Sequence, residues 1–179
     1  MSQRPSGYAR QPEYSTPAWV TQALIPHLPK GIDTVWECAA GTGQMVSALK
    51  AAGFQVYGSD LQDGIDFLAA PALPEPDIDA IITNPPFELA TEFIERALRM
   101  TEPNAGTVAM LLRTDFEHAK SRTHLFRDNP TFRKKVVLLR RITWFDPGPD
   151  RVGKSPSFNH SWYVFDHRHE GPPTVGFAP

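Results

Sequence analysis

At 179 residues, with 41% apolar and 21% charged residues, the chain has the length and composition of one globular domain with a buried core. Its single cysteine, Cys38, excludes an internal disulfide framework, and no apolar run approaches the roughly 20 residues that a membrane span needs. Net charge is −2 but unevenly spread, because residues 1–112 carry 6 Lys/Arg against 13 Asp/Glu while residues 113–179 carry 12 against 7, an asymmetry that points softly to a polyanionic partner or else to two solvated faces of opposite sign.

Residues 1–11 are polar and aperiodic and are expected to form a mobile tail, leaving 12–179 as a single domain. The tail has no apolar leader core, so the expected location is the cytoplasm. Thr16 is placed to cap a helix with Pro17 at its first position and Ala18, Val20, Ala23 and Leu24 on its apolar face. DTVWEC (33–38) reads as a buried strand, AAGTGQ as the turn after it, and MVSALKAAG as a helix closed by Gly53. FQVYGSD is a second strand, GIDFLAA a short helical piece, and AIITNPPF a third strand. LATEFIERALRM has Leu89, Phe93, Ile94 and Leu98 at helical spacing. GTVAMLLRT is a fourth strand, DFEHAKSRTHLFRD a polar helix, KKVVLLRRITWF a fifth strand, and HSWYVFDH a last strand reached through a long loop. Alternating strands and helices predict an α/β fold, with a parallel sheet covered on both faces and an antiparallel pair at its edge.

Two stretches carry chemistry. In ECAAGTGQM, Gly41 and Gly43 let the backbone approach a ligand at the C-terminal end of a strand. The third glycine of a dinucleotide fingerprint would fall at Val46, which disfavours nicotinamide or flavin dinucleotides. Asp60, at the end of the next strand, can accept both ribose hydroxyls of an adenosine or serve as a turn residue; Glu37 can meet a cationic ligand group or cap the next helix. A short glycine turn with two such acids suits a cationic adenosine ligand, and S-adenosylmethionine answers that description. In TNPPFE, the prolines hold Asn84 and Pro85 extended. The Asn84 side-chain oxygen and the Pro85 carbonyl then form a rigid pair of acceptors for an –NH2 group. Accepting both protons favours the pyramidal, nucleophilic geometry of a conjugated amine. Phe87 offers a face on which a planar group stacks.

Asn84-Pro85-Pro86-Phe87, with Glu37 to Gly43 upstream, resembles the S-adenosylmethionine-dependent amino-methyltransferases. These act on DNA adenine N6 or cytosine N4, on ribosomal RNA guanine, or on protein glutamine. The resemblance implies a Rossmann-like class I fold of seven strands with an antiparallel last strand. It implies a catalytic set Asn84, Pro85, Pro86 and Phe87, and a cofactor set Glu37, Ala39, Gly41, Gly43 and Asp60. Asp66 and Phe67 would contact the adenine, while Tyr14 and Thr16 would lie over the methionine end. The usual proline after the acid is Cys38 here. The C-terminal stretch resembles small phage- or prophage-type enzymes, where an aromatic loop closes over a flipped base. Phe158 is the candidate second aromatic face, ahead of Trp144. Arg133, Lys134, Lys135, Arg140, Arg141, Arg151 and Lys154 are candidate phosphate contacts. No metal is implied. The expected activity is methyl transfer to an exocyclic amine, with DNA adenine favoured over RNA. The alternatives are a ribosomal RNA or protein-glutamine target, or a non-catalytic binding module. With no room expected for an added recognition domain, target choice is expected to be loose, to come from a partner or oligomer, or to be directed at RNA or protein.

Overall fold

The apolar runs become strands of one sheet in the computed structural model, which describes residues 15–144 and 158–179. In chain order the strands are β1 (Thr34–Glu37), β2 (Gln55–Gly58), β3 (Ala80–Thr83), β4 (Thr107–Arg113), β5 (Phe132–Leu138), β6 (His160–Asp166) and β7 (Thr174–Ala178). They lie side by side as β2-β1-β3-β4-β6-β5-β7. β6 runs antiparallel to both neighbours, β4 and β5, and every other neighbouring pair is parallel. The α-helices among the described residues are α1 (Ala18–Leu24), α2 (Gln44–Ala51) and α3 (Ala90–Thr101). No helix of the described residues is long and apolar enough to cross a membrane.

Strand alternation sorts the core into two layers. On β4, Ala109 and Leu111 join the layer that includes Val20 and Leu24 of α1 and Met45 and Leu49 of α2. Val108, Met110 and Leu112 join the opposite layer with Phe93, Ile94 and Ala97 of α3. Each Val, Leu, Ile, Met or Phe among them, fully buried, contributes roughly 1.5–3 kcal/mol. Trp162 is sealed in the first layer, and its Nε1–H donates to the Val20 carbonyl at 2.9 Å, which ties α1 to the sheet.

Several expectations change. The strand read as the last is the antiparallel one, but it lies inside the sheet. β7 takes the edge beside β5. Sequence reading missed β7 because Gly171-Pro172-Pro173 precede it and Gly176 interrupts it, which erases the usual strand signal. The region 115–128 forms two 3-10 helices, Phe116–His118 and Lys120–Leu125, rather than one α-helix. Ala119 between them is extended, and Phe116 and Leu125 are the buried residues of these two turns, too few for an amphipathic stripe. GIDFLAA forms turns, with a 3-10 helix just before it at Leu61–Asp63. β5 ends at Leu138, short of the predicted RRITWF extension.

Val46 also finds its reason. A Cβ on Gly58 would sit 2.9 Å from Val46 Cγ2, so the close approach of α2 to β2 is made by a glycine on the strand.

Candidate active site

β1, β3 and β4 deliver the candidate residues to one edge, the C-terminal ends of the parallel strands, where open α/β sheets place ligands. β1 ends at Glu37, which is 1% exposed. Its Oε1 accepts from the Thr83 hydroxyl at 2.5 Å and from the Ala39 N–H at 3.0 Å. Burial pushes its carboxyl up to about 7 against the pull of these two hydrogen bonds. Glu37 does not cap α2. The N-cap is Gly43, at φ 79° and with no side-chain cap bond.

Gly41 and Gly43 both take positive φ, and a Cβ built on either would meet nothing within 4 Å. The turn therefore presents bare backbone to open space. Asp60 holds that turn in place. Its Oδ2 accepts from the Gly41 N–H and its Oδ1 from the Gln62 N–H, each at 2.9 Å. So Asp60 is a turn residue here, and its remaining lone pairs are what it has for a ligand. Asp66 Oδ1 accepts from the Leu68 N–H at 3.0 Å. Phe67 is 1% exposed and packs edge-on against Trp36 and tilted against Phe93. The ring is thus a core element beside the expected adenine position.

Past β3 the chain runs through Asn84 (half-buried), Pro85 (buried) and Pro86 into a short 3-10 helix, Phe87–Leu89, that leads into α3. The Pro86 carbonyl accepts from the Leu89 N–H at 3.0 Å. Asn84 Nδ2 donates to the Thr16 hydroxyl at 3.3 Å, an orientation that turns Oδ1 away as the acceptor. Thr16 was expected to cap α1. The N-cap is instead Pro17, with no side-chain bond, and the Thr16 hydroxyl serves Asn84. One residue earlier, the Ser15 hydroxyl bonds the Thr42 hydroxyl at 2.6 Å. Ser15 and Thr16 thus tie the glycine turn and the Asn-Pro-Pro-Phe stretch to a single segment. Sequence reading placed this segment near the cofactor by resemblance but did not see either bond.

Phe87 and Phe158 are both 48% exposed. The guanidinium carbon of Arg113, which ends β4, lies 5.9 Å from the Phe87 ring centre and 4.0 Å from that of Phe158. Arg113 was not picked out in advance. The available signal was a charge at the C-terminal end of an otherwise apolar strand. Trp144 packs edge-on to His160 at 5.1 Å.

Among the described residues, the basic candidates do not form one patch. Along β5, Lys134 and Lys135 point to opposite faces of the sheet, as strand alternation requires. Arg133 Nη1 donates to the His27 carbonyl at 3.0 Å. Lys135 Nζ donates to Glu117 and, at 2.7 Å, to the Thr114 carbonyl. Glu117 also accepts from the Tyr163 hydroxyl. Burial pushes the Glu117 carboxyl up, but the bonds from Lys135 and Tyr163 outweigh it and hold it below its ordinary value. Arg140 lies over the Trp19 ring at 4.9 Å, and Arg141 Nε donates to Asn159 at 3.0 Å. Lys135 therefore spends its charge on an internal ion pair with Glu117. Tyr14, Arg151, Lys154 and the expected N-terminal tail lie outside the described residues.

No protein-family model matches the chain, and no curated protein matches it by sequence. Solved structures do match. One is the methyltransferase subunit of a type I restriction-modification system from Streptococcus thermophilus, with TM-score 0.54 and 12% identity, covering 88% of this chain and 45% of that one. Another is a modification subunit assigned to a type I restriction enzyme of Vibrio vulnificus YJ016, with TM-score 0.54 and 15% identity, covering 94% and 46%. The chain thus spans less than half the length of these two. A third is a Lactococcus lactis protein named as a hemolysin, with TM-score 0.56 and 10% identity, covering 89% of each chain. At such identities the likeness is one of fold: a mostly parallel seven-stranded Rossmann-like sheet with one antiparallel strand, shared with methyltransferase subunits.

Proposed function

We propose that the chain is an S-adenosylmethionine-dependent methyltransferase acting on an exocyclic amino group, with adenine N6 in DNA as the favoured target. The observation that carries this reading is the Asn84 amide, oriented by Thr16 at the end of β3 and tied through Ser15 and Thr42 to an open glycine turn. Two matching structures named as restriction-modification subunits support the choice of DNA.

The residues fit the cofactor. Bare backbone at Gly41 and Gly43, the buried carboxyl of Glu37, the Ala39 backbone, and the acids Asp60 and Asp66 would hold it. Bound there, it supplies an electrophilic methyl group on a sulfonium. Asn84 Oδ1 and the Pro85 carbonyl accept the two amine protons, which frees the nitrogen lone pair from conjugation and aims it. Phe87, exposed beside them, stacks on the planar group, and Phe158 forms the second wall. Glu37 sits two residues from the turn with a carboxyl poised near neutrality, so a cationic ligand group beside it stabilises its ionised form.

The test offers radiolabelled S-adenosylmethionine with DNA, RNA and protein pools and identifies the modified unit by mass spectrometry. N6-methyladenine in the DNA pool is the expected product. Label in RNA or in glutamine would move the target while keeping the chemistry. Cofactor binding with no label in any pool would make the chain a binding module.

A further inference from the structure

Over both exposed rings lies a group with no part in the amine chemistry. The Arg113 guanidinium is flat, and its carbon lies 4.0 Å from the Phe158 ring centre and 5.9 Å from that of Phe87. The two ring centres are therefore no more than about 10 Å apart, against the roughly 7 Å that two rings stacked on one planar group require. The guanidinium also donates from Nη2 to Asp115 Oδ2 at 3.0 Å, and Asp115 is half exposed. His160, directly across the β4–β6 ladder from Arg113, is buried, and burial holds its imidazole down to about 4, so it adds no second cation there.

We infer that Arg113 is a substrate-selecting residue whose guanidinium keeps the seat over Phe87 and Phe158 until a planar, uncharged group displaces it toward Asp115. The inference rests on the reading of this edge as the site for a planar amine. A delocalised guanidinium stacks on aromatic faces much as a nucleobase does, and it keeps the rings apart and wetted in the free protein. A nucleobase stacks more strongly on an aromatic ring than an exposed guanidinium does, so the exchange runs toward the base. The displaced cation stays beside the seat, on Asp115, and so repels a positively charged ring. Arg113 thereby selects neutral planar groups over cationic ones.

The probe is 2-aminopurine riboside, a neutral planar amine whose fluorescence is quenched on stacking. Arg113→Ala empties the seat and is expected to bind it about two- to fivefold more tightly than the wild-type chain. Arg113→Lys, which keeps the charge but not the plane, falls between them and carries the test if the alanine variant does not fold. In a Phe158→Leu background the gain from Arg113→Ala disappears, which separates this seat from any other nucleoside site. Unchanged or weaker binding by Arg113→Ala, or an equal gain without Phe158, overturns the inference. Calorimetry with S-adenosylmethionine on the wild-type chain is read separately. Probe displacement without cofactor binding would keep the seat and remove the transferase reading, and the reverse result would do the opposite.

Discussion

The two halves of the candidate site are built on opposite principles. On the glycine-turn side, the protein satisfies its own groups: Asp60 spends a bond from each oxygen on backbone N–H, Glu37 is buried on Thr83 and Ala39, and Trp36 Nε1 donates to Ser59 at 2.8 Å. On the Phe87 side, two rings are half exposed and the charge between them is held by an exposed ion pair. A preformed cradle suits a ligand that is always the same, and a loosely held aromatic seat suits a group that enters and leaves with each substrate. Asn84 stands where the two meet.

That contrast can be broken most sharply at Asn84. Asn84→Ala is expected to lower methyl transfer by about 10²–10³-fold, the usual cost of one preorganised polar group, while calorimetry shows S-adenosylmethionine affinity unchanged. Loss of cofactor binding instead would place Asn84 in the cradle. The next largest effect belongs to Glu37. Its folded carboxyl titrates at about 7 because it is buried. The unfolded chain releases that proton near pH 4.5, so the folded state binds more protons between the two values. Stability therefore falls as pH rises through this window and stays low above it. Glu37→Gln removes the slope and is expected to gain about 3 kcal/mol over wild type at pH 8, with little difference at pH 4, by denaturant melts. A wild-type stability flat from pH 4 to 8 would show that the Glu37 carboxyl titrates alike in the folded and unfolded chain.

Away from the site, Lys135→Met strands Glu117 and is expected to cost about 2 kcal/mol. The salt dependence of nucleic-acid binding should not change, and a shallower slope would return Lys135 to the phosphate contacts. The smallest effect is that of Asp60→Asn, about 1 kcal/mol in stability. The amide can accept from one of the two N–H groups but turns a donor toward the other. A full-strength glycine turn, seen as unaltered amide exchange at Gly41, would contradict the hydrogen bonding that gives Asp60 its place.

Much of this was legible in the sequence because the signals were local. Apolar runs gave β1, β3 and β4, and two prolines in a row gave the stiff exit from β3. Phe158 was reached by resemblance, and the structure places it within 4.0 Å of Arg113. What escaped was non-local. Thr16 looked like a helix cap because its neighbours suit one, yet its partner is Asn84, 68 residues away. Arg133, Lys134 and Lys135 looked like one patch because charge was counted along the chain, whereas the strand deals Lys134 and Lys135 to opposite faces, with Arg133 at a register shift beside His27. Phe67 looked like a ligand contact, and the core of Trp36 and Phe93 claimed it.

The contact between Gly58 and Val46 bears on how such folds are recognised at all. A fingerprint that demands a small residue on the helix encodes a distance between two backbones, and a distance has two ends. Here the missing methyl has been moved across the gap, from the helix to the strand that it faces. The constraint is on the summed volume of a pair, and Val46 on the helix is accommodated by Gly58 on the strand without restoring the glycine fingerprint.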